Sequence, residues 1–325
     1  MELKSYLNKM KILIKGNFPE YHKKRLINSL KEDQLYFILH DDEITSESAK
    51  CHLLVSYGDG IDKSLINQLN DLVWIHVLSA GMNLLPIEQI RERNILLTNV
   101  GGIHKVPMAE YTLSVILNLT HRMYHYYDLQ KKRCWESWIE IEEAYGKTVG
   151  IIGLGNIGSE IAKYCKLLSM NVIGTRINYN KPVSYVDHIY APEELNLLLQ
   201  QSDFVVLTVP LTNITRDLIS YKQLNEMKKT AYLINISRGG VVNENALVKA
   251  IFNKEIAGAV LDIVNQEPLQ EGSVLWSIDN LFITPHISGR SPEYLNRAFE
   301  IMLRNIDLYK QEKELENKFD FNKGY

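Results

Sequence analysis

The chain has 325 residues, of which 46% are hydrophobic and 23% are charged, and both fractions are close to those of ordinary soluble proteins. This size and composition exclude a disordered or fibrous protein and predict two domains of ordinary size. The 36 basic and 39 acidic side chains leave a net charge of −3, so the charge balance offers no basis for binding nucleic acid. We therefore expect a globular protein whose partners do not include nucleic acid.

Cysteine usage and hydropathy indicate the compartment. The three cysteines, Cys51, Cys134 and Cys165, form no CxxC pair and no even disulfide framework, which favours ordinary buried thiols in a reducing environment. The first ten residues lack the apolar run of a signal peptide, and no stretch of about 18 apolar residues occurs in the chain. We expect a cytoplasmic protein that is not associated with a membrane.

Short runs rich in β-branched residues alternate with helical patterns along most of the chain, which is typical of α/β proteins with parallel sheets. In the first part of the chain, such runs predict strands at Lys11–Lys15, Gln34–Leu39, His52–Tyr57, Val73–Leu78 and Ile95–Asn99. After the glycine pair Gly101-Gly102, the apolar spacing predicts one long helix from about Val106 to Lys131. We interpret this helix as a connection between two domains.

The second part of the chain repeats the alternation of strands and helices. Its predicted strands are Lys147–Ile152, Asn171–Gly174, Phe204–Val209, Ala231–Ile236, Ala257–Leu261 and Leu281–Thr284. A last helix, with Pro292 in its first turn, should continue to about Lys313 and return to the first domain. The fold class predicted by these patterns is α/β, with two doubly wound parallel-sheet domains.

The segment from Val149 to Gly158 is an apolar strand that runs into a G-x-G-x-x-G motif, and a helix is predicted from Ser159 to Leu168. In this setting Gly153 can form the tight turn, Gly155 can let the backbone approach a pyrophosphate, and Gly158 can allow close packing of helix and sheet. The pyrophosphate would lie at the helix N-terminus. The motif predicts a dinucleotide-binding domain, and a glycine-rich turn without a ligand is the alternative.

The end of the next strand bears on the choice of coenzyme. NAD-binding proteins place an acidic residue there for the ribose 2′-hydroxyl, whereas this chain has Thr175-Arg176-Ile177-Asn178. Arg176 and the small polar Thr175 can hold a 2′-phosphate through charge-assisted hydrogen bonds, which favours NADP over NAD. The alternative is a solvated surface arginine.

Three polar side chains follow later strands, at the edge where open α/β sheets bind ligands. Arg238 precedes the flexible pair Gly239-Gly240, which leaves its planar guanidinium free to bind a carboxylate through two parallel hydrogen bonds. Glu267 and His286 each neighbour a proline that restricts the local backbone. A histidine held by a carboxylate is poised for the proton transfers of reversible carbonyl–alcohol chemistry. An exposed arginine and a structural histidine are the alternatives.

Two other side-chain groups have simpler interpretations. His121 and His125 have i,i+4 spacing, but Arg122 replaces the glutamate of the metalloprotease pattern, so no metal site is expected. An interface between domains or subunits is the interpretation of the aromatic group Tyr124, Tyr126, Tyr127, Trp135 and Trp138.

Seven separated motifs agree with one pattern. They are Val55-Ser56-Tyr57-Gly58, Leu78-Ser79-Ala80-Gly81, Pro107-Met108-Ala109-Glu110-Tyr111, Gly153-Leu154-Gly155-Asn156-Ile157-Gly158, Ile236-Ser237-Arg238-Gly239-Gly240, Glu267-Pro268-Leu269 and Thr284-Pro285-His286. With these motifs the chain resembles, nearly from end to end, the D-isomer-specific 2-hydroxyacid dehydrogenase family. The resemblance implies a discontinuous, flavodoxin-like substrate or lid domain (residues 1–100 plus 287–325) around an inserted NAD(P)-binding Rossmann domain (residues 101–286).

The resemblance also implies a reaction and a set of site residues. A small 2-oxo acid and its D-2-hydroxy acid would be interconverted by hydride transfer, with Arg238 anchoring the carboxylate, His286 transferring the proton and Glu267 orienting and tuning His286. Substrate contacts are expected from Ser56, Tyr57, Gly58, Ser79, Gly81, Arg238 and His286. Coenzyme contacts are expected from the glycine motif Gly153–Gly158 and from Thr175, Arg176, Val209, Pro210, Thr215, Ile236, Ser237, Arg238, Asp262 and His286. Asp262 would lie near the nicotinamide carboxamide, and a homodimer is expected.

The chain departs from the family pattern at the end of the second coenzyme-domain strand, where the common acid is missing, and in Asn265-Gln266, to which the sequence assigns no role. L-lactate and malate dehydrogenases would carry the glycine motif near the N-terminus and not at Gly153, and formate dehydrogenases replace the residue that is Glu267 here. A non-enzymatic NAD(H)-sensing corepressor of the same fold stays open as an alternative. Glyoxylate, hydroxypyruvate, pyruvate and branched 2-oxo acids all stay open as substrates.

Overall fold

The computed structural model describes residues 9–79, 81–82 and 85–321. The chain divides into two compact units. The two-segment unit is formed by the chain up to Ile103 together with the chain from Ser291 onward, and the continuous unit is formed by His104–Arg290. The family resemblance implies domain boundaries at 100/101 and 286/287, and the assignment of the units to a lid and a coenzyme domain stays a prediction.

Strands and helices alternate along the described chain. The strands are β1 (Lys11–Lys15), β2 (Gln34–Ile38), β3 (Leu53–Ser56), β4 (Trp74–Val77), β5 (Leu96–Asn99), β6 (Thr148–Ile152), β7 (Asn171–Thr175), β8 (His188–Tyr190), β9 (Phe204–Leu207), β10 (Tyr232–Asn235), β11 (Gly258–Leu261) and β12 (Leu281–Ile283). The helices are α1 (Glu20–Ser29), α2 (Lys63–Gln68), α3 (Ile87–Glu92), α4 (Lys105–Thr120), α5 (Met123–Lys131), α6 (Asn156–Leu167), α7 (Leu195–Gln201), α8 (Tyr221–Glu226), α9 (Glu244–Phe252) and α10 (Tyr294–Lys310).

The two-segment unit contains a five-stranded sheet in the order β2-β1-β3-β4-β5, and its neighbouring strands are parallel. Every residue of β3 and β4 is buried, as expected for parallel strands that are covered on both faces. Because β3 and β4 are parallel neighbours, the loops that follow Ser56 and Val77 leave the same edge of the sheet.

The continuous unit contains a seven-stranded parallel sheet in the order β12-β11-β10-β9-β6-β7-β8. The chain adds β7 and β8 on one side of β6, and then β9 to β12 on its other side. The strand order therefore reverses between β6 and β9, and doubly wound sheets bind ligands at such a point. The glycine-rich turn follows β6 directly, so it lies at this position.

The predicted fold class is confirmed, because both units are α/β and both sheets are parallel. The predicted strands are all present, with ends that differ by at most two residues, and the structure adds β8. This strand is three residues long at the edge of the sheet, and only its Tyr190 is buried. Such a short, exposed segment carries little hydrophobic pattern for a sequence-based prediction.

The prediction of one long helix from Val106 to Lys131 was wrong. The segment forms two helices, α4 and α5, because Arg122 between them adopts a left-handed conformation with φ +55°, which a right-handed helix cannot include. Both helices belong to the continuous unit, so the segment does not connect the two units. Pro292 lies just before α10 and not in its first turn. Cys134 is exposed, unlike the buried Cys51 and Cys165.

Candidate active site

The glycine-rich turn has one crowded glycine at each end and an open one between them. Gly153 has φ +107°, and a Cβ on Gly158 would lie 2.3 Å from the carbonyl oxygen of Gly153, so neither position accepts a side chain without strain. A Cβ on Gly155, which caps the N-terminus of α6, would meet no atom within 4 Å beyond its chain neighbours. The backbone is therefore accessible at the end of the helix where an anion is favoured, and the turn fits a pyrophosphate.

The end of β7 lies beside this turn. The carbonyl oxygen of Thr175 accepts hydrogen bonds from the amides of Gly153 at 3.1 Å and Leu154 at 2.9 Å. The side chain of Thr175 is buried, whereas Arg176 is partly exposed and forms no hydrogen bond or ion pair with the described part of the chain. Of the two residues predicted to hold a 2′-phosphate, Arg176 is thus the accessible one.

The loop after β9 is attached to the same turn. The hydroxyl of Thr208 donates to the carbonyl oxygen of Gly153 at 2.6 Å, and a Cβ on Gly153 would lie 2.9 Å from Val209. Further along this loop, the hydroxyl of Thr215 donates to the carbonyl oxygen of Pro210 at 2.6 Å. Val209, Pro210 and Thr215 therefore belong to a loop that borders the proposed coenzyme turn.

Arg238 projects from a loop that the last residue of β10 organises. The side-chain oxygen of Asn235 accepts hydrogen bonds from the amide of Ser237 at 3.0 Å and from its hydroxyl at 2.7 Å, and Asn235 is itself buried. Ile236 and Ser237 are buried as well, while Arg238 is exposed. One guanidinium nitrogen donates to the carbonyl oxygen of Ser237 at 2.7 Å, which leaves the other donors available.

Asn265 links the Arg238 loop to the segment that carries Glu267, which is a role that the sequence did not reveal. Its side-chain oxygen accepts a short hydrogen bond from the amide of Gly240. A Cβ on Gly239 would lie 2.3 Å from the carbonyl oxygen of Val264, so the two backbones approach as closely as only glycine allows.

Glu267 and His286 form a hydrogen-bonded pair. Oε2 of Glu267 lies 2.8 Å from Nδ1 of His286, and Oε1 of Glu267 accepts a longer hydrogen bond from the amide of Val264 at 3.4 Å. Because an ionised carboxylate only accepts, Nδ1 carries the proton and donates. Nε2 of His286 has no hydrogen-bond partner within the described ranges, and the ring is 52% exposed, so this atom is available to a substrate.

The carboxylate of Asp262 fixes the backbone around His286. Its Oδ1 accepts hydrogen bonds from the hydroxyl of Thr284 at 2.6 Å and the amide of Ile287 at 2.8 Å, and its Oδ2 accepts one from the amide of Ser288 at 2.9 Å. Asp262 is 1% exposed. Most of its acceptor capacity is thus used by the His286 loop.

His104 is a second histidine of this region, and no spacing pattern in the sequence marks it as a site residue. Its Nδ1 lies 3.0 Å from the carbonyl oxygen of Gly289, which requires a proton on Nδ1. Burial lowers the pKa of His104, and the positive charges of Arg238 and His286 lower it further. His104 is therefore a neutral ring that lies within electrostatic range of both predicted catalytic groups.

The three predicted catalytic residues come from consecutive loops of one sheet edge. Arg238 follows β10, Glu267 follows β11 and His286 follows β12, and these strands are parallel neighbours. The exposed His121 and His125 take no part, and among residues 9–79, 81–82 and 85–321 no cluster of His, Cys, Asp or Glu could hold a metal ion.

Five of the seven predicted substrate residues lie at or just after the ends of β3 and β4 in the two-segment unit, whereas Arg238 and His286 belong to the continuous unit. Ser56 is buried at the end of β3, the ring of Tyr57 stacks on Phe18 with 5.3 Å between centroids, and Gly58 has φ +103°. After β4, the hydroxyl of Ser79 donates to the carbonyl oxygen of Gly81 at 2.8 Å. Ala80 of the second motif lies outside the described residues.

Comparison with known proteins agrees with this architecture. Residues 113–288 match the family model described as D-isomer specific 2-hydroxyacid dehydrogenase, NAD binding domain. A glyoxylate reductase of Thermofilum pendens is 35% identical over 259 residues, which cover 78% of this chain and 76% of that protein.

Solved structures extend the match to nearly the whole chain. A D-isomer specific 2-hydroxyacid dehydrogenase family protein from Aeromonas salmonicida has a TM-score of 0.81 and 29% identity, with 97% of this chain and 99% of that chain covered. The NAD complexed form of a D-isomer specific 2-hydroxyacid dehydrogenase from Lactobacillus delbrueckii has a TM-score of 0.81 and 25% identity, covering 95% of this chain and 100% of that one.

A doubly wound parallel sheet with a glycine-rich turn at its reversal point defines a dinucleotide-binding protein of the α/β class. The chain belongs to the D-isomer-specific 2-hydroxyacid dehydrogenase family, and it is an NAD(P)-dependent enzyme. No helix within the described parts of the chain is both long and apolar enough to cross a membrane.

Proposed function

We propose that this enzyme interconverts a small 2-oxo acid and its D-2-hydroxy acid by hydride transfer. The observation that carries the proposal is the hydrogen bond of 2.8 Å between Glu267 and His286, in loops next to that of Arg238. A reversible carbonyl–alcohol reaction needs one group that holds the substrate and another that moves a proton at its oxygen. Arg238 and His286 supply these two functions.

Arg238 binds the carboxylate of the substrate. Its guanidinium offers two parallel donors at the spacing of the carboxylate oxygens. Its side chain is exposed at the carboxyl edge of the sheet, where sheets of this kind bind ligands. The close approach at Gly239 and the hydrogen bond of Gly240 to Asn265 hold the loop in place. The carboxylate is thereby anchored beside the proton-transferring group.

His286 holds and moves the proton at the substrate oxygen. In reduction Nε2 of the imidazolium donates to the developing alkoxide, and in oxidation the neutral Nε2 accepts the hydroxyl proton. Glu267 accepts from Nδ1, which keeps Nε2 directed away from the carboxylate. When bound, the nicotinamide coenzyme supplies the hydride in one direction and accepts it in the other.

The coenzyme site is proposed at the carboxyl edge of the continuous unit. The residues proposed to hold it are Gly153, Leu154, Gly155, Asn156, Ile157, Gly158, Thr175, Arg176, Val209, Pro210, Thr215, Ile236, Ser237, Arg238, Asp262 and His286. NADP is proposed as the favoured coenzyme, because Arg176 is accessible and occupies the place of the acid that would accept from a ribose hydroxyl. The accessible backbone at Gly155 supports the pyrophosphate position.

The two-segment unit is proposed as the substrate or lid domain and the continuous unit as the coenzyme domain. Ser56, Tyr57, Gly58, Ser79 and Gly81 would contact the substrate from two loops at one sheet edge. The size and polarity of these loops would select among glyoxylate, hydroxypyruvate, pyruvate and branched 2-oxo acids.

A cytoplasmic homodimer is proposed as the working form. Trp135 and Trp138 are 97% and 94% exposed, and large exposed aromatic side chains of this kind are typical of subunit interfaces. A second copy of the chain is the proposed partner of this segment. The three free cysteines support a reducing compartment.

The proposed function is tested with the purified enzyme and a panel of 2-oxo acids, with NADH and NADPH compared side by side. We expect turnover of at least one small 2-oxo acid and a higher kcat/KM with NADPH. Tight binding of the reduced coenzyme without turnover of any 2-oxo acid would support a corepressor-like sensing protein instead. Turnover with chirality opposite to D, read by chiral chromatography of the product, would contradict the assigned stereochemistry.

A further inference from the structure

Tyr111, in the middle of α4, is connected to the His286 loop by a chain of hydrogen bonds. The hydroxyl of Tyr111 lies 2.6 Å from the hydroxyl of Thr284, which lies 2.6 Å from Oδ1 of Asp262. We propose that Tyr111 is a positioning residue for His286, acting through Thr284 and Asp262. This inference rests on the proposed function, in which His286 moves the proton.

The direction of the chain follows from which atoms can donate. The carboxylate of Asp262 only accepts, so the hydroxyl hydrogen of Thr284 points at Asp262. The oxygen of Thr284 must then accept from Tyr111, which donates. Burial raises the pKa of Tyr111, so its hydroxyl stays protonated and remains a donor over the working pH range. Each bond thus polarises the next in one direction.

His286 depends on this support because its backbone is strained. Its φ is +54°, in the left-handed region that is unfavourable for a residue other than glycine, and such strain persists only when the surroundings enforce it. The amide of His286 donates to the carbonyl oxygen of Asp262 at 2.8 Å, and the next two amides donate to the Asp262 carboxylate. The orientation of that carboxylate therefore sets the direction in which the ring leaves the backbone.

Removing the hydroxyl of Tyr111 leaves the half-buried hydroxyl oxygen of Thr284 without its donor. The Thr284 hydroxyl can then rotate to another acceptor, and the Asp262 carboxylate loses one of its three hydrogen bonds. The ring of His286 would sample a wider range of positions beside Glu267. Since small displacements of a reacting group cost up to about a hundredfold in rate, we expect Tyr111→Phe to lower kcat for reduction about tenfold, with a smaller change in coenzyme affinity.

Two pairs of variants separate positioning from a general loss of packing. Thr284→Ser retains the hydroxyl and should keep near-normal kcat, whereas the isosteric Thr284→Val should behave like Tyr111→Phe. The double variant Tyr111→Phe/Thr284→Val should be no slower than either single variant, because both break one chain. The control is Tyr232→Phe, since Tyr232 begins β10 at the opposite edge of the sheet and its pKa is also raised by burial.

The test measures kcat, the solvent deuterium isotope effect on kcat and the Kd of NADPH for wild type and all variants. We expect a lower kcat and a larger isotope effect in Tyr111→Phe and Thr284→Val, with a smaller change in the Kd of NADPH, and normal values in Tyr232→Phe. A purely structural role would lower the melting temperature while leaving the isotope effect unchanged. That result, or a tenfold loss in Thr284→Ser as well, would overturn the proposal.

A spectroscopic measurement separates this proposal from the proposed function. The ring signals of ¹³C-histidine-labelled protein are recorded, and the His286 signal is identified by its loss in His286→Asn. In Tyr111→Phe and Thr284→Val the signal should shift or broaden, and in Tyr232→Phe it should not. If wild type reduces no 2-oxo acid but the signal responds in this way, the proposed function fails while the positioning role stands. An unaffected signal overturns the positioning role even in an active enzyme.

Discussion

Nδ1 of His286 lies 2.8 Å from Oε2 of Glu267, and the two side chains come from the loops that follow the parallel neighbours β12 and β11. The pairing commits one ring nitrogen to the carboxylate and leaves Nε2 as the atom that can meet a substrate. It also means that a change at Glu267 acts on catalysis through His286 and not through contact with the coenzyme turn.

The first prediction concerns this pair. Glu267→Gln keeps the shape but removes the charge, and a hydrogen bond to a charged group contributes about 1.5–3 kcal/mol, so kcat/KM for reduction should fall roughly 10- to 100-fold. His286→Ala should lower kcat by about two to four orders of magnitude. Steady-state kinetics with the best 2-oxo acid measures both effects. Glu271→Gln, an exposed glutamate of the same segment, serves as the control. Equal rates for Glu267→Gln and wild type would exclude any influence of Glu267 on the proton donor.

The second prediction concerns the carboxylate anchor. Arg238→Lys keeps the charge but loses the two parallel donors, so kcat/KM should fall about a hundredfold or more. This fall corresponds to a loss of several kcal/mol in the binding of the transition state. The Kd of NADPH, measured by fluorescence titration, should change much less. A variant with near-normal kcat/KM for every 2-oxo acid in the panel would show that Arg238 does not bind the substrate.

The third prediction concerns the choice of coenzyme. Arg176→Ala should raise the KM for NADPH about 10- to 100-fold more than the KM for NADH, because the lost charge-assisted bonds reach only a 2′-phosphate. Lys181→Ala removes an exposed cation from the same loop and controls for general electrostatics. Parallel changes in the two KM values, or a wild type that prefers NADH, would remove the basis for phosphate binding by Arg176.

The fourth prediction compares two glycines of one turn. In Gly158→Ala the new methyl group would lie 2.3 Å from the carbonyl oxygen of Gly153, so we expect a loss of about 1–3 kcal/mol in unfolding free energy. In Gly155→Ala the methyl group meets open space, so the melting temperature should stay normal while NADPH binding weakens. Thermal unfolding and coenzyme titration distinguish the two variants. Normal NADPH affinity in Gly155→Ala would place the pyrophosphate elsewhere.

The fifth prediction concerns acid stability of the two-segment unit. His76 in β4 is fully buried, and burial lowers its pKa from 6.5 to about 3. Between these values the unfolded chain binds a proton that the folded chain does not, so the unfolding free energy falls as the pH drops below 6.5. The loss contributed by His76 should reach about 2 kcal/mol at pH 5.

Urea unfolding of wild type and His76→Leu between pH 8 and pH 5 measures this contribution. Trp74 is fully buried in the same strand, whereas Trp135, Trp138 and Trp276 are 97%, 94% and 56% exposed, so the emission shift on unfolding reports mainly the two-segment unit. The variant should lose less stability toward pH 5, and the exposed His125→Gln should follow wild type. Identical slopes in wild type and His76→Leu would contradict the assigned protonation of His76.

The amino-acid sequence alone determined the strands and the glycine-rich turn, because these features depend on residues that are neighbours along the chain. The β-branched runs predict the ends of the long strands to within two residues, and the glycine motif predicts the turn after β6. Both succeed because burial of a strand and freedom of the backbone depend on residues that are consecutive in the sequence. Local sequence also marks Arg238, Glu267 and His286 as polar residues that follow strands. It does not mark Arg122, whose left-handed conformation separates α4 from α5 in a segment with uninterrupted apolar spacing.

The tertiary structure alone decided which of these residues meet. Glu267 reaches His286 because β11 and β12 are neighbours, and strand order is set by packing between segments distant in sequence. The hydrogen bond of Tyr111 to Thr284 joins residues 173 positions apart, and Asn265 gains its role only where two loops approach at Gly239. Such contacts form only when segments distant in sequence pack together, and the sequence of one segment alone does not indicate which other segment it will contact. Composition and motifs therefore determine which functional groups are present, while the folded structure determines how each reacting atom is oriented.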